Sequence, residues 1–284
     1  MTDRRRANAS LQLLPSAMTV LSICAGMTSI KFALDHKPIP AMALIAAAAI
    51  LDALDGRVAR ILGAQSRLGA EIDSLADAVN FGVTPALVVY VTLLFKWPVG
   101  WMVVLLYAVC VVLRLARYNA QQDDETHASY EHEYFTGMPA PAGAVSMIGT
   151  IGLTLQFGEG WWSSVWFLVP WIIGTSILMV SAIPMKKLHT VAIPPNWAVP
   201  LLALLAAVAA AAVLEPYILI WVIIISYVCH IPFAWRSKRW LAKHPEVWDD
   251  KPKERRAVRR ANRRAQPHRR SMARLGLRKP GRRL

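Results

Sequence analysis

Eight apolar runs separate the polar segments of this chain, and their length limits what it can fold into. Each run holds about 20 residues, enough for a helix to cross roughly 30 Å of hydrocarbon. The runs occupy residues 16–34, 41–62, 70–95, 98–118, 139–157, 163–185, 197–214 and 216–235. Inside a lipid bilayer the backbone must satisfy its own hydrogen bonds, so such runs form helices. The sequence therefore predicts an all-α, polytopic membrane bundle with about eight transmembrane helices.

Basic residues are distributed unevenly between the segments that join these runs. Lys and Arg follow every second run, whereas the opposite segments hold only Lys37 and Lys96. The basic positions are Arg4, Arg5, Arg6, Arg57, Arg60, Arg67, Arg114, Arg117, Lys186, Lys187, Arg236, Lys238 and Arg239. Because short cytoplasmic loops carry the excess of Lys and Arg, both termini are predicted to be cytoplasmic.

The end of the chain carries the net charge. Residues 236–284 hold 19 Lys or Arg and four Asp or Glu, a net charge of +15, whereas the other residues hold 13 and 14, a net charge of −1. We interpret this segment as a cytoplasmic tail that is disordered or lies on anionic lipid headgroups. It has neither interleaved aromatic residues nor a nucleic-acid-binding motif, so nucleic acid is not an expected partner.

Four aspartates interrupt the second and third apolar runs. Asp52 and Asp55 are three residues apart, and Asp73 and Asp77 are four apart, so each pair lies on one face of a helix. An ionised side chain in a membrane is costly unless it is paired, hydrated or bound to a cation. Carboxylates without nearby His or Cys suit Mg²⁺, Mn²⁺ or Ca²⁺, which favour phosphate partners. We therefore expect a metal and phosphate site that opens towards the cytoplasm.

Small residues and one arginine accompany the aspartates. Gly56 and Gly69 have no side chain and would let a ligand approach the backbone closely. Ala59 keeps the same face open, and Arg60 can present a planar guanidinium group to a phosphate. These residues together indicate a site for a pyrophosphate with its metal. The alternative for the glycines is close helix packing.

The spacing of these residues matches a known signature, D-x-x-D-G-x-x-A-R-x8-G-x3-D-x3-D, at every position from Asp52 to Asp77. On this signature the chain is identified as a member of the CDP-alcohol phosphotransferases. Residues 71–85, 114–119, 135–141 and 179–184 resemble the bacterial phosphatidylserine synthase branch of that family. The similarity covers roughly the first two-thirds of the chain. Ser16 is a departure, because this branch usually has asparagine there.

The resemblance implies a metal-dependent enzyme that transfers the phosphatidyl group of CDP-diacylglycerol to the hydroxyl of L-serine and releases CMP. It implies that Asp52, Asp55, Asp73 and Asp77 bind one or two Mg²⁺ or Mn²⁺ ions, with Ca²⁺ as a further candidate. Asp77 would also act as the general base. Gly56, Ala59, Arg60 and Gly69 would bind CDP-diacylglycerol, and the enzyme would be a homodimer.

The acceptor site is predicted less directly. Asn80 and Thr84 continue the Asp73 and Asp77 face at helical spacing, so they could reach serine; interhelical hydrogen bonding is the alternative. Arg114 and Arg117 could bind the serine carboxylate or the CDP phosphates, with ordinary positive-inside anchoring as the alternative.

We expect four segments: an N-terminus at 1–15, a catalytic core of six spans at 16–190, two additional helices at 191–235, and the basic tail at 236–284. A rival interpretation is a relative that uses glycerol 3-phosphate or an inositol phosphate as the acceptor. An ion or proton transporter is a more distant rival, because it would not need the Gly, Ala and Arg positions of the signature.

Overall fold

The structure is a computed structural model, and it describes residues 2–64, 66–122, 134–181, 183–186 and 198–243. The chain divides into two units, Met1–Trp235 and Arg236–Leu284. Only the first eight residues of the second unit are described, as the end of a helix. The prediction for the rest of the basic tail therefore lies outside the described residues.

The described residues form eight α-helices and two short strands. The helices are α1 Thr2–Leu34, α2 Pro38–Ile61, α3 Arg67–Leu94, α4 Pro98–Gln122, α5 Ala140–Phe157, α6 Val165–Val180, α7 Ala198–Leu214 and α8 Pro216–Lys243. One helix therefore corresponds to each apolar run of the sequence. The helix α1 begins well before the first residue of its apolar run, and α8 continues beyond the last residue of its run.

Six of these helices are long and apolar enough to cross a membrane. They are α1 to α5 and α8, whereas α6 and α7 are shorter apolar helices. The polytopic, helical fold predicted from the sequence is confirmed. The strands β1, Tyr134–Thr136, and β2, Pro184–Lys186, were not predicted; they pair antiparallel, with Phe135 opposite Met185.

The first three helices follow one another with little chain between them. Pro38 begins α2, where its missing N–H costs nothing. Ser66 caps α3, because its Oγ accepts a hydrogen bond of 3.0 Å from the Gly69 amide. Only five residues separate Ile61 from Arg67, and α2 contacts the middle of α3, over residues 78–89. α1 packs along α2 and also contacts α3.

The helix α3 is not a regular α-helix along its length. It has π-helical geometry over Ala78–Val83 and again over Tyr90–Leu94. The Tyr107 hydroxyl of α4 donates a hydrogen bond of 2.9 Å to the Phe81 carbonyl within the first of these segments. Both side chains are buried, so α4 stabilises the irregular turn from outside the helix. A π segment inside an α-helix often accompanies a functional site.

The last two helices differ in how they pack. Trp221 of α8 donates a hydrogen bond of 2.8 Å from Nε1 to the Gly149 carbonyl of α5, and its ring lies 4.8 Å from that of Trp171 of α6. The side chains of residues 200–210 in α7 are exposed. α8 is therefore attached to the core of the bundle, whereas α7 presents an apolar face to its surroundings.

Candidate active site

The four aspartates come together near the adjoining ends of α2 and α3. Asp55 is 2% exposed, and the other three are partly buried. The negative charges of Asp55, Asp73 and Asp77 all act on Asp52, so the four carboxyl groups share one electrostatic environment. Asp52 and Asp55 lie in the second half of α2 and Asp73 in the second turn of α3, so the five-residue connection keeps the two pairs close.

Two cavities adjoin the aspartates, and Asp73 and Ala70 lie in the walls of both. The first, of about 360 Å³, lies between α1, α2 and α3, and we call it the α2 cavity. Its wall includes Pro15, Ser16, Thr19, Asp55, Gly56, Ala59, Arg60, Ser66 and Gly69. All four residues predicted to bind CDP-diacylglycerol therefore line one space.

The second cavity, of about 610 Å³, lies between α3 and α4, and we call it the α4 cavity. Its wall includes Arg67, Glu71, Ser74, Asp77, Leu115, Tyr118 and Asn119. The Asn119 side-chain amide donates a hydrogen bond of 2.7 Å to the Ser74 hydroxyl and so joins the two helices. Asp77 lies in this cavity and Asp55 in the other, so Asp73 stands between two separate compartments.

Thr19 of α1 is a site residue that the sequence analysis missed. Its hydroxyl lies 2.6 Å from Asp55 Oδ2 and 3.1 Å from the Pro15 carbonyl, and the side chain is buried. A carboxylate that accepts a hydrogen bond is oriented by it and is less costly to bury. Thr19 lies three residues after Ser16, the position that departs from the family pattern, and this was the available signal.

Two buried carboxylate oxygens have no hydrogen-bond partner, Asp52 Oδ1 and Asp55 Oδ1. Within the described residues, no group of three or more His, Cys, Asp or Glu side chains forms a complete metal-binding set. Oxygen atoms of this kind are nevertheless the ligands that Mg²⁺ and Mn²⁺ prefer. The donor chemistry and the two unpartnered oxygens therefore fit a divalent cation.

Asn80 and Thr84 lie between α1 and α3 and line neither cavity. Asn80 Nδ2 donates a hydrogen bond of 3.0 Å to the Ser22 hydroxyl, and both side chains are buried. A Cβ atom on Gly26 would overlap Asn80 and approach Thr84 to 3.2 Å. Asn80 lies within the π segment Ala78–Val83, and both side chains face α1. Their serine-binding role remains a prediction.

Arg114 is buried on α4 close to the aspartates. It is 8% exposed, its Nε has no hydrogen-bond partner, and its charge interacts with Asp77. The guanidinium carbon lies 5.9 Å from the centre of the Tyr118 ring. Arg114 does not line the α4 cavity. Its position suits balancing the charge of Asp77, and serine binding remains a prediction.

Arg117 binds the end of α6. Its guanidinium donates hydrogen bonds of 2.7 Å to the Val180 carbonyl, 3.1 Å to the Ser181 carbonyl and 3.5 Å to the Met179 carbonyl. The last carbonyls of a helix have no partner within it, and a basic side chain can satisfy them. These contacts give Arg117 a structural role that the sequence did not predict, and its serine-binding role remains a prediction.

Comparisons with known proteins agree with the signature. A family model described as CDP-alcohol phosphatidyltransferase matches residues 12–169. A Mycobacterium tuberculosis protein named CDP-diacylglycerol–serine O-phosphatidyltransferase is 78% identical over 281 residues, covering 99% of this chain and 98% of that protein. A Mycobacterium leprae protein of the same name is 66% identical over 283 residues, covering 99% and 94%. A Helicobacter pylori protein of the same name is 36% identical over 176 residues, covering 61% and 71%.

Proposed function

The chain belongs to the CDP-alcohol phosphatidyltransferase family, and from that premise we propose that it transfers the phosphatidyl group of CDP-diacylglycerol to the hydroxyl of L-serine, with release of CMP. The observation that carries the proposal is the likeness to serine-specific relatives along almost the whole of both chains. The chain is a multi-pass membrane enzyme, which suits a lipid substrate.

We assign the donor to the α2 cavity. Arg60 offers a guanidinium group to the pyrophosphate, and Gly56, Ala59 and Gly69 leave room for it against the backbone. A Cβ atom at Gly56 would meet nothing within 4 Å, which supports open space on that face rather than close helix packing.

Asp52, Asp55, Asp73 and Asp77 would hold one or two divalent cations, Mg²⁺ or Mn²⁺. A bound cation would neutralise the pyrophosphate and stabilise the departing CMP. The unpartnered oxygens of Asp52 and Asp55 support this assignment, which remains a proposal.

In the proposed reaction the serine hydroxyl oxygen bonds to the phosphorus that carries the diacylglycerol. The bond from that phosphorus to the bridging oxygen breaks, and CMP leaves with the electron pair. Asp77 takes the hydroxyl proton as general base, since it lies in the α4 cavity beside Asp73, and it later returns the proton to solvent. Positioning and charge stabilisation supply most of the catalysis, so no covalent enzyme intermediate is needed.

The remaining features follow from charge and resemblance. We propose that both termini and the opening of the site face the cytoplasm, because Lys and Arg follow every second helix. Residues 16–190 would form the catalytic core, 191–235 two additional helices and 236–284 a basic tail. The family resemblance supports a homodimer.

The decisive experiment measures CMP release by purified protein from CDP-diacylglycerol, with Mg²⁺ or Mn²⁺ and a panel of labelled acceptors. Serine should support far faster turnover than glycerol 3-phosphate or inositol phosphate. Equal or faster turnover of a phosphorylated polyol would overturn the serine assignment while leaving the family membership intact.

A further inference from the structure

The wall of the α4 cavity contains two opposite charges that the proposed chemistry does not use. Arg67 and Glu71 are four residues apart on the first turns of α3, and both side chains are exposed. Such spacing places them on one face of the helix. Among the residues that the structure describes, neither has an ion-pair or hydrogen-bond partner. Both charges are therefore available to a ligand in the cavity.

The α4 cavity extends along α3, from Arg67 and Glu71 to Asp77. Asp77 is six positions after Glu71, which is about 9 Å along a helix axis at roughly 1.5 Å per residue. The two side chains and a small amino acid between them can span that distance. A ligand whose hydroxyl reaches Asp77 would therefore place its other end beside Glu71. Arg67 lies ten positions before Asp77, roughly 15 Å along the axis, so its long side chain would reach along the cavity to that end of the ligand.

Serine is a zwitterion, so its charged end needs both an anion and a cation. Among the described residues of the cavity wall, Arg67 is the only Lys or Arg. The other candidate cations are placed differently, because Arg117 is bonded to the α6 carbonyls and Arg114 is buried outside the wall. Arg60, the cation of the α2 cavity, lies on the donor side.

We propose that Glu71 binds the ammonium group and Arg67 the carboxylate of the acceptor amino acid, so that this pair selects serine. The inference rests on the proposed function and names the acceptor end of the same site. Glu71 would also repel a phosphate dianion, so the pair would disfavour phosphorylated polyols. Charge-assisted hydrogen bonds to both groups fix the orientation that points the hydroxyl at Asp77.

The test uses full-length Arg67→Gln and Glu71→Gln and measures KM separately for serine and for CDP-diacylglycerol. Each variant should raise the serine KM by about tenfold or more, because one charge-assisted contact is worth at least about 1.4 kcal/mol. The CDP-diacylglycerol KM should stay within about twofold of the parent value, since the contact is made to one substrate only. Arg57→Gln and Glu159→Gln are matched controls, exposed and outside both cavities, and should change neither value.

Two acceptor analogues separate the roles of the pair. Ethanolamine is serine without the carboxylate, and 3-hydroxypropanoate is serine without the ammonium group. The parent enzyme should prefer serine to both. Arg67→Gln should lose most of the enzyme's preference for serine over ethanolamine. Glu71→Gln should lose most of its preference for serine over 3-hydroxypropanoate. Arg67→Lys and Glu71→Asp keep each charge and should retain part of the preference for serine. They also test the two roles if a glutamine variant folds poorly.

The outcomes distinguish this inference from the proposed function. If the parent enzyme does not use serine, the proposed function fails. If it uses serine but both glutamine variants keep the parent serine KM and acceptor preference, the function stands and this inference is overturned. A rise confined to the CDP-diacylglycerol KM would also overturn it, by moving Arg67 to the pyrophosphate.

Discussion

The Thr19 hydroxyl of α1 lies 2.6 Å from Asp55 Oδ2, so a carboxylate of the signature on α2 is held by a helix outside the signature. Asp55 is almost completely buried, and its other oxygen has no partner. α1 therefore does more than cross the membrane, since it orients one carboxylate and leaves the second oxygen free for a ligand.

The first prediction removes that hydrogen bond. Thr19→Val keeps the shape of the side chain but leaves a buried carboxylate without its donor, which should cost about 1–3 kcal/mol of stability. Turnover should also fall, and more metal should be needed for half-maximal activity. Thr19→Ser keeps the hydroxyl and should stay close to the parent. Thermal unfolding in detergent and a metal titration measure both effects, and parent-like behaviour of Thr19→Val would refute the role.

The second prediction concerns the aspartates. Asp77→Asn should abolish turnover while keeping the fold, because it removes the proposed base with little change in volume. Asp52→Asn and Asp55→Asn should first weaken binding of metal and CDP-diacylglycerol. CMP release and metal binding, each measured across pH, separate these outcomes. Near-normal turnover by Asp77→Asn at every pH would show that the general-base assignment is wrong.

The third prediction follows from the Arg117 contacts. Arg117→Ala leaves the Met179, Val180 and Ser181 carbonyls at the end of α6 without this donor. Because Arg117 is partly exposed, we expect the free energy of unfolding to fall by about 1–2 kcal/mol in Arg117→Ala. Arg117→Lys should keep part of that stability. The serine KM should change much less than in Arg67→Gln. A large rise in the serine KM without loss of thermal stability would return Arg117 to the acceptor site.

The fourth prediction tests the segment that crosses the same helix end. Gly137 has a φ of +79°, and its amide donates a hydrogen bond of 2.9 Å to the Ile183 carbonyl. A Cβ atom there would lie 2.5 Å from the Met179 carbonyl oxygen and 2.8 Å from that of Ser181. Gly137→Ala should therefore destabilise the protein strongly.

Gly63→Ala is the matched control for Gly137→Ala. Its φ is +61°, but a Cβ atom would meet nothing within 4 Å. Gly63→Ala should lower the free energy of unfolding only by the backbone strain, about 1–2 kcal/mol. Equal losses of thermal stability in the two variants would contradict the importance of the close approach to α6.

The fifth prediction concerns the basic tail. Removing residues 245–284 leaves α2, α3 and both cavities intact, so activity in detergent should survive. On anionic vesicles the shortened enzyme should lose part of its salt-sensitive behaviour, because each basic residue near such a surface contributes about 1 kcal/mol. Activity in detergent and on vesicles at increasing salt measures this. Complete loss of activity in detergent with a retained fold would instead show that the tail takes part in the site or the dimer.

The sequence by itself determined the helices and the central group of site residues. Apolar length predicts each helix, and the spacing of Asp52, Asp55, Asp73 and Asp77 on two neighbouring helices brings the carboxylates together. Gly56, Ala59, Arg60 and Gly69 line one cavity for the same reason. These are local properties, since helix geometry and a five-residue connection fix the relative positions of residues that are close in the chain.

Only the tertiary structure decided which other side chains join them. Thr19 and Asp55 are 36 residues apart, and Arg117 lies 63 residues from Val180, so no local period connects either pair. Asn80 lies in a π segment and donates a hydrogen bond to Ser22 of α1, although its spacing from Asp77 suggested an unbroken α-helix. Packing of α4 against that segment, through the Tyr107 hydrogen bond, accompanies this irregularity. Contacts between distant helices depend on the packing of the whole bundle, and helical spacing alone does not specify them.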